Sequence, residues 1–158
     1  MTERDNYFMK RAIDMAQKGM DSGAGGPFGC VIVKNDVIIA EGNNKVTSTH
    51  DPTAHAEIVA IREACKKLGS FQLEDCTIYT SCEPCPMCLG AIYWARPKKV
   101  FFACSKKDAA AINFDDQFIY EELDKKMEDR DITFIQISRK EALPVFENWN
   151  KKIDRIEY

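Results

Sequence analysis

Apolar residues recur at helical spacing along residues 3–21, with Phe8, Ala12, Met15, Ala16 and Met20 on one stripe, and Thr2 with Asp5 has the form of a capping box. Ser22-Gly23-Ala24-Gly25-Gly26-Pro27 breaks the pattern. The period then shortens. Phe28–Lys34 and Val37–Glu41 read as two β-rich runs joined by the turn Asn35-Asp36, so the first two strands are expected antiparallel. A polar loop from Asn43 to Pro52 leads to a second helix over 53–68, with Ala54, Ile58, Ile61, Cys65 and Leu68 on one stripe and Gly69 as its stop.

The rest of the chain alternates. The pattern predicts a strand over 76–81, a helix over 86–95 that ends before Pro97, a strand over 99–104 and a helical stretch through Phe118, Ile119 and Leu123. A fifth strand is expected over 132–137. Ser138-x-x-Glu141 then resembles a capping box for a last helix whose stripe is Ala142, Phe146, Trp149, Ile153 and Ile156, with Pro144 blurring its start. The order αββαβαβαβα predicts an α/β domain with three α/β/α layers, helices covering both faces of a five-stranded mixed sheet. The strand-helix-strand units after the hairpin are expected to be parallel and right-handed.

A chain of 158 residues fits one domain, 1–158, and buries about 70% of its unfolded surface without needing disulfides. The opening Met1–Asn6 has no basic region ahead of an apolar run, and no eighteen apolar residues follow one another, so a soluble cytoplasmic protein with no membrane partner is expected. Seven cysteines, an odd number, fit a reducing compartment. Cys30, Cys65, Cys76 and Cys104 lie in apolar runs and read as small core residues. A net charge of −3 and an isoelectric point near 5.5 give no basic footprint for nucleic acid, which favours a small-molecule substrate.

Two stretches carry chemistry: Thr53-Ala54-His55-Ala56-Glu57 and Pro84-Cys85-Pro86-Met87-Cys88. Zinc takes nitrogen and sulfur ligands in a tetrahedron, and a catalytic site leaves one of the four positions open. His55, Cys85 and Cys88 fill three. Cys85 and Cys88 share one face at a helix start, where the dipole favours thiolates and Pro86 needs no donor. Glu57 lies about 200° from His55 around a helix, which suits an acid/base carboxylate beside the metal rather than a ligand. Each residue alone has a plainer reading: His55 a hydrogen-bonded helix residue, the cysteines a redox pair, Glu57 a solvated charge. Cys82, three before Cys85, leaves open a closed structural zinc site made with His55, Cys85 and Cys88.

The pattern H-x-E followed by P-C-x-x-C resembles the signature of zinc deaminases. Gly26-Pro27-Phe28-Gly29, Asp51–Glu57, Thr80–Cys88, Ala91–Arg96, Phe114-Asp115-Asp116 and the terminal Glu157-Tyr158 extend the resemblance over nearly the whole chain, to the cytidine-deaminase-like superfamily and within it to the small bacterial guanine deaminases. The resemblance implies one zinc per chain and conversion of guanine and water to xanthine and ammonia, a step in purine catabolism, with Glu57 as proton carrier. It implies that Phe28 and Asn44 stack and hold the purine, that Trp94 lines the pocket and that Asp116 makes a second proton transfer. It also implies a domain-swapped homodimer in which segment 138–158 brings Tyr158 to the partner's site. From the residues alone, Phe28 and Trp94 read equally as core aromatics, Asn44 as a turn residue and Asp116 as a helix cap. The tRNA adenosine deaminases share H-A-E and P-C-x-x-C and are resembled less well.

Overall fold

A computed structural model describes residues 1–158, which divide into two compact units, 1–116 and 117–158. In the first unit, helix α1 (Glu3–Asp21) precedes strands β1 (Gly29–Lys34) and β2 (Val37–Asn43), followed by a single helical turn α2 (Val46–Thr49) and helix α3 (Ala56–Leu68). Strand β3 (Cys76–Cys82), helix α4 (Pro86–Ala95), strand β4 (Lys99–Cys104) and the short helix α5 (Lys106–Ala110) complete it. The sheet order is β2-β1-β3-β4. β1 is antiparallel to both β2 and β3, and β3 is parallel to β4, so the sheet is mixed, as expected.

Local chemistry accounts for these elements. Thr2 and Asp5 form the expected capping box on α1, each satisfying the other's backbone donor. Asn35 and Asp36 both adopt positive φ, 50° and 60°, the geometry of a tight hairpin turn whose twist matches the flanking strands. α1 lies on one face of the sheet, where Phe8, Ala12 and Met15 pack against Val31, Val33 and Tyr79. On the other face, Ala56, Ala60 and Ala64 of α3 and Ile92 and Ala95 of α4 pack against Cys30, Ile32 and Ile78. Those two packed faces make the three layers. Complete burial of a side chain such as Ile78 is worth about 1.5–3 kcal/mol. α3 sits close on β2: a Cβ at Gly42 would stand 2.4 Å from the Ala56 carbonyl oxygen. The absence of a side chain there sets the height of the start of α3 above the sheet.

The second unit holds α6 (Gln117–Asp124), a 3-10 turn (Met127–Asp129) and α7 (Arg139–Lys151). Neither α6 nor α7 contains a buried residue. The sheet has four strands, not five: residues 132–137 form no strand, and Ile132, Ile135 and Ile137 are exposed. β propensity reports how well a side chain fits a half-buried pleated surface, and that segment has no such surface beneath it.

Other expectations are corrected as well. α3 begins at Ala56 rather than Thr53, because His55 is extended (φ −68°, ψ 158°) and forms the N-cap. Ser138 adopts φ 51° and makes no side-chain cap, and α7 ends at Lys151, short of Ile153 and Ile156. Cys104, at the end of the outer strand β4, is exposed rather than core, whereas Cys30 and Cys76 are fully buried. No helix is long and apolar enough to cross a membrane.

Candidate active site

Two helix starts meet at one point. His55 is the N-cap of α3 and Cys85 the N-cap of α4, with nearly the same extended backbone (φ −68°, ψ 158° and φ −64°, ψ 167°). Neither side chain caps its own helix, so both are available to a third party. Cys88, three positions on in α4, adds the third donor. The loop before His55 is organised by Asp51, whose carboxylate accepts from the Thr53 amide at 2.8 Å and its hydroxyl at 2.7 Å. Pro86 at the first position of α4 fits a site where a backbone donor has no intrahelical partner.

The donor atoms of His55, Cys85 and Cys88 lie within 4.8 Å of one another. Nδ1 of His55 is 3.5 Å from each sulfur. Zinc–sulfur bonds of about 2.3 Å and zinc–nitrogen bonds of about 2.0–2.1 Å make the N···S edge of a tetrahedron about 3.6 Å, so the trio fits zinc as it stands. With Nδ1 as the ligand atom, the ring proton sits on Nε2.

The sulfurs ionise unequally. Cys85 is drawn down to about 4, first by the hydrogen bond from the Cys88 thiol and then by His55. Cys88 is pushed up by donating to Cys85 and by burial. The Cys85 hydrogen bond in turn raises His55. Cys82 takes no part: burial pushes its thiol up to about 11, and its Sγ is directed at the Ser105 carbonyl, 3.7 Å away. The closed four-ligand arrangement is therefore not the one assembled.

Glu57, at the second position of α3, is only 6% exposed. One carboxylate oxygen, Oε1, accepts from the Thr80 hydroxyl at 2.8 Å, while Oε2 is 3.4 Å from Cys88 Sγ and so borders the metal trio. Burial raises its pKa, and the Thr80 bond opposes that shift. Burial raises the Asp116 pKa, and Cys85 adds to the shift.

Asn44 is 5% exposed, and its Oδ1 accepts from the backbone amides of Gly26 at 3.3 Å and Val46 at 3.1 Å. Committing the oxygen to the backbone leaves the amide nitrogen as the group with donors to spare. Gly25 makes that seat possible, since a Cβ there would stand 2.1 Å from Asn44 Oδ1. The Phe28 carbonyl accepts from the Asn44 backbone N–H at 3.0 Å, and the Phe28 ring meets Phe114 edge to face at 5.0 Å between centroids. Phe28, Asn44 and Phe114-Asp115-Asp116 thus border one another in the first unit. Trp94 is 64% exposed on α4, and Tyr158 is 70% exposed at the end of the second unit.

Thr80 and Ser81, which stand in the sequence only as part of the longer motif Thr80–Cys88, each make a specific side-chain bond. Ser81 Oγ accepts from the Gly29 amide at 2.9 Å, tying β3 to the start of β1. Thr80 was discoverable: Cys76, Ile78, Thr80 and Cys82 alternate onto one sheet face, and a hydroxyl following an isoleucine into a core needs a partner.

Residues 2–104 match the family model of the cytidine and deoxycytidylate deaminase zinc-binding region. The guanine deaminase of Bacillus subtilis (strain 168) is 59% identical over 151 residues, covering 96% of this chain and 97% of its own. The tRNA-specific adenosine deaminase of Aquifex aeolicus (strain VF5) is 42% identical over 108 residues, 68% of this chain and 71% of its own. The X-ray structure of guanine deaminase from Bacillus subtilis superposes with a TM-score of 0.95 at 57% identity, covering 100% of this chain and 99% of that one. With a donor trio sized for zinc and a buried glutamate beside it, this chain belongs to the zinc-dependent cytidine and deoxycytidylate deaminase family.

Proposed function

We infer that this protein is a guanine deaminase, converting guanine and water to xanthine and ammonia with one zinc per chain. The carrying observation is the reach of the likeness. The guanine deaminase aligns over 151 residues, whereas the tRNA-specific deaminase aligns over 108 and leaves about a third of this chain unmatched. An acidic chain with an isoelectric point near 5.5 also favours a small purine over a nucleic acid. The natural setting of such an activity is purine catabolism in the cytoplasm.

His55, Cys85 and Cys88 would hold the zinc, which when bound would supply the Lewis acidity for water to act as a nucleophile near neutral pH. Glu57 takes a proton from water at Oε2, the oxygen beside the trio, and delivers it to a purine ring nitrogen as oxygen adds to the carbon bearing the amino group. The added hydroxyl then gives up its proton as it becomes the carbonyl, and Asp116, whose pKa is raised by burial, passes that proton to the amino nitrogen, which leaves as ammonia. Asn44 donates through Nδ2 to an acceptor on the purine edge. Phe28 offers a ring face, and stacking of a base on an aromatic is worth about 1–3 kcal/mol. Trp94 walls the pocket.

The active species is proposed to be a domain-swapped homodimer in which 138–158 crosses to the partner and Tyr158 closes its site. The second unit supports this: α7 buries no residue, and Val145, Phe146 and Ile156 are exposed, an apolar surface that the chain itself leaves uncovered.

The substrate is tested by ammonia release from guanine, guanosine, adenine, cytosine and an adenosine-containing anticodon hairpin, side by side. Guanine is expected to lead. Faster release from the hairpin would transfer the assignment to tRNA deamination.

A further inference from the structure

We propose that the Thr80 hydroxyl is a positioning group for Glu57, holding Oε1 so that Oε2 alone faces the metal trio and carries the proton. This rests on the reading of Glu57 as the proton carrier.

A glutamate side chain ends in a torsion that is broad and two-fold, so an untethered carboxylate swings and exchanges its oxygens. Here the two oxygens have different surroundings. Oε1 accepts from Thr80 Oγ1 at 2.8 Å in a buried hydrogen bond, and Oε2 is 3.4 Å from Cys88 Sγ. Thr80 is well suited to hold a partner still. It lies in β3 between two paired strands, opposite Cys30 of β1 and Phe102 of β4, so its backbone is fixed from both sides. Its side chain is β-branched, which restricts χ1, and it is 1% exposed, so water does not compete for the carboxylate. Glu57 itself is anchored by the first turn of α3, whose height over the sheet is set by Gly42. One end of the carboxylate is therefore fixed by the helix and one oxygen by the sheet.

The consequence concerns rate. Deamination asks the same carboxyl to accept a proton at one place and release it at another. Each transfer depends on an oxygen already aligned, and misplacement by about 1 Å typically costs on the order of 10²-fold. Thr80 touches neither the metal trio nor the purine in this scheme and acts only through Glu57.

The test compares Thr80→Val, Thr80→Ser, Glu57→Gln and the double variant Thr80→Val/Glu57→Gln, measuring zinc content, guanine kinetics and the infrared carboxyl band that Glu57→Gln removes. Valine keeps the shape and deletes the donor. Thr80→Val should keep one zinc per chain and KM within about 2-fold while kcat falls about 10- to 100-fold, a loss confined to the transition state. Thr80→Ser should stay within about 3-fold of the parent, because it restores the hydroxyl. The Glu57 band should move in Thr80→Val and stay in Thr80→Ser, and the double variant should be no slower than Glu57→Gln. The proposal is overturned if zinc-loaded Thr80→Val turns over like the parent, if Thr80→Ser is as slow as Thr80→Val, if the band stays put, or if valine costs the same factor in the Glu57→Gln background. Should Thr80→Val not fold, Thr80→Ala removes the same donor with the same expectations. Full turnover by Glu57→Gln would instead overturn the reading of Glu57 itself.

Discussion

A single side chain can satisfy two different demands here, and Asp116 shows how to separate them. It directly precedes α6, where an aspartate can serve as a cap, and its carboxyl is raised by burial and by Cys85, the shift expected of a proton carrier. Asparagine caps as well as aspartate but carries no titratable proton. Asp116→Asn is therefore expected to leave thermal stability unchanged within error and to lower kcat on the order of 10²-fold, read by steady-state kinetics beside a melting curve. Normal turnover would return Asp116 to capping. At this scale the sequence was most legible in the signature H-x-E and P-C-x-x-C, whose His55, Cys85 and Cys88 the structure brings within 4.8 Å of one another, with Glu57 beside Cys88. Strand alternation places the Thr80 hydroxyl in the core, but it does not name the partner, because the carboxylate it meets is 23 positions away in the chain.

At the scale of elements, the site depends on how closely α3 and α4 approach the sheet. A Cβ on Gly42 would meet the Ala56 carbonyl oxygen at 2.4 Å and the Ala60 nitrogen at 2.8 Å, both backbone atoms that cannot turn aside. Gly42→Ala must lift the start of α3, carrying His55 and Glu57 with it. Overpacking of this kind costs about 1–3 kcal/mol, which for a chain of this size lowers Tm by roughly 2–4 °C per kcal/mol. Gly90 is the control, for nothing lies within 4 Å of its would-be Cβ and it stands exposed in α4. Gly90→Ala is expected to raise stability by about 0.5–1 kcal/mol through the helix interior alone. Thermal melts should move in opposite directions, and Gly42→Ala should in addition lose zinc faster to a chelator. Equal zinc retention in the two variants would separate the packing of α3 from the metal site. Most elements were readable from periodicity and punctuation, down to the bounds of α4 and β4. The start of α3 was not, since Thr53-Ala54-His55 continues the helical stripe on paper. Only the turn built by Asp51, with its bonds to Thr53, shows that the chain is still extended at His55.

The whole molecule poses the question that periodicity answered least well. Residues 132–137 have strand composition and form no strand, and the stripe of α7 ends in exposed residues, because apolar pattern states that a surface wants covering and not what covers it. The proposed cover is a second copy of the chain. Exchange of an element between protomers is a low-cost route to a dimer, since every contact made is one the single chain already encodes. The decisive measurement mixes Glu57→Ala subunits with subunits lacking Glu157-Tyr158, each inactive alone if both parts are needed, and unfolds and refolds them together with zinc. In a swapped heterodimer the truncated subunit retains Glu57 and receives an intact tail from its partner, so one of its two sites is complete. Random assortment makes half the dimers mixed, and about a quarter of all sites should regain turnover. A tail that serves its own subunit leaves every site defective. If mass analysis finds heterodimers present and the mixture is as inactive as its parents, the exchange is excluded, and Tyr158 must act within its own chain or not at all.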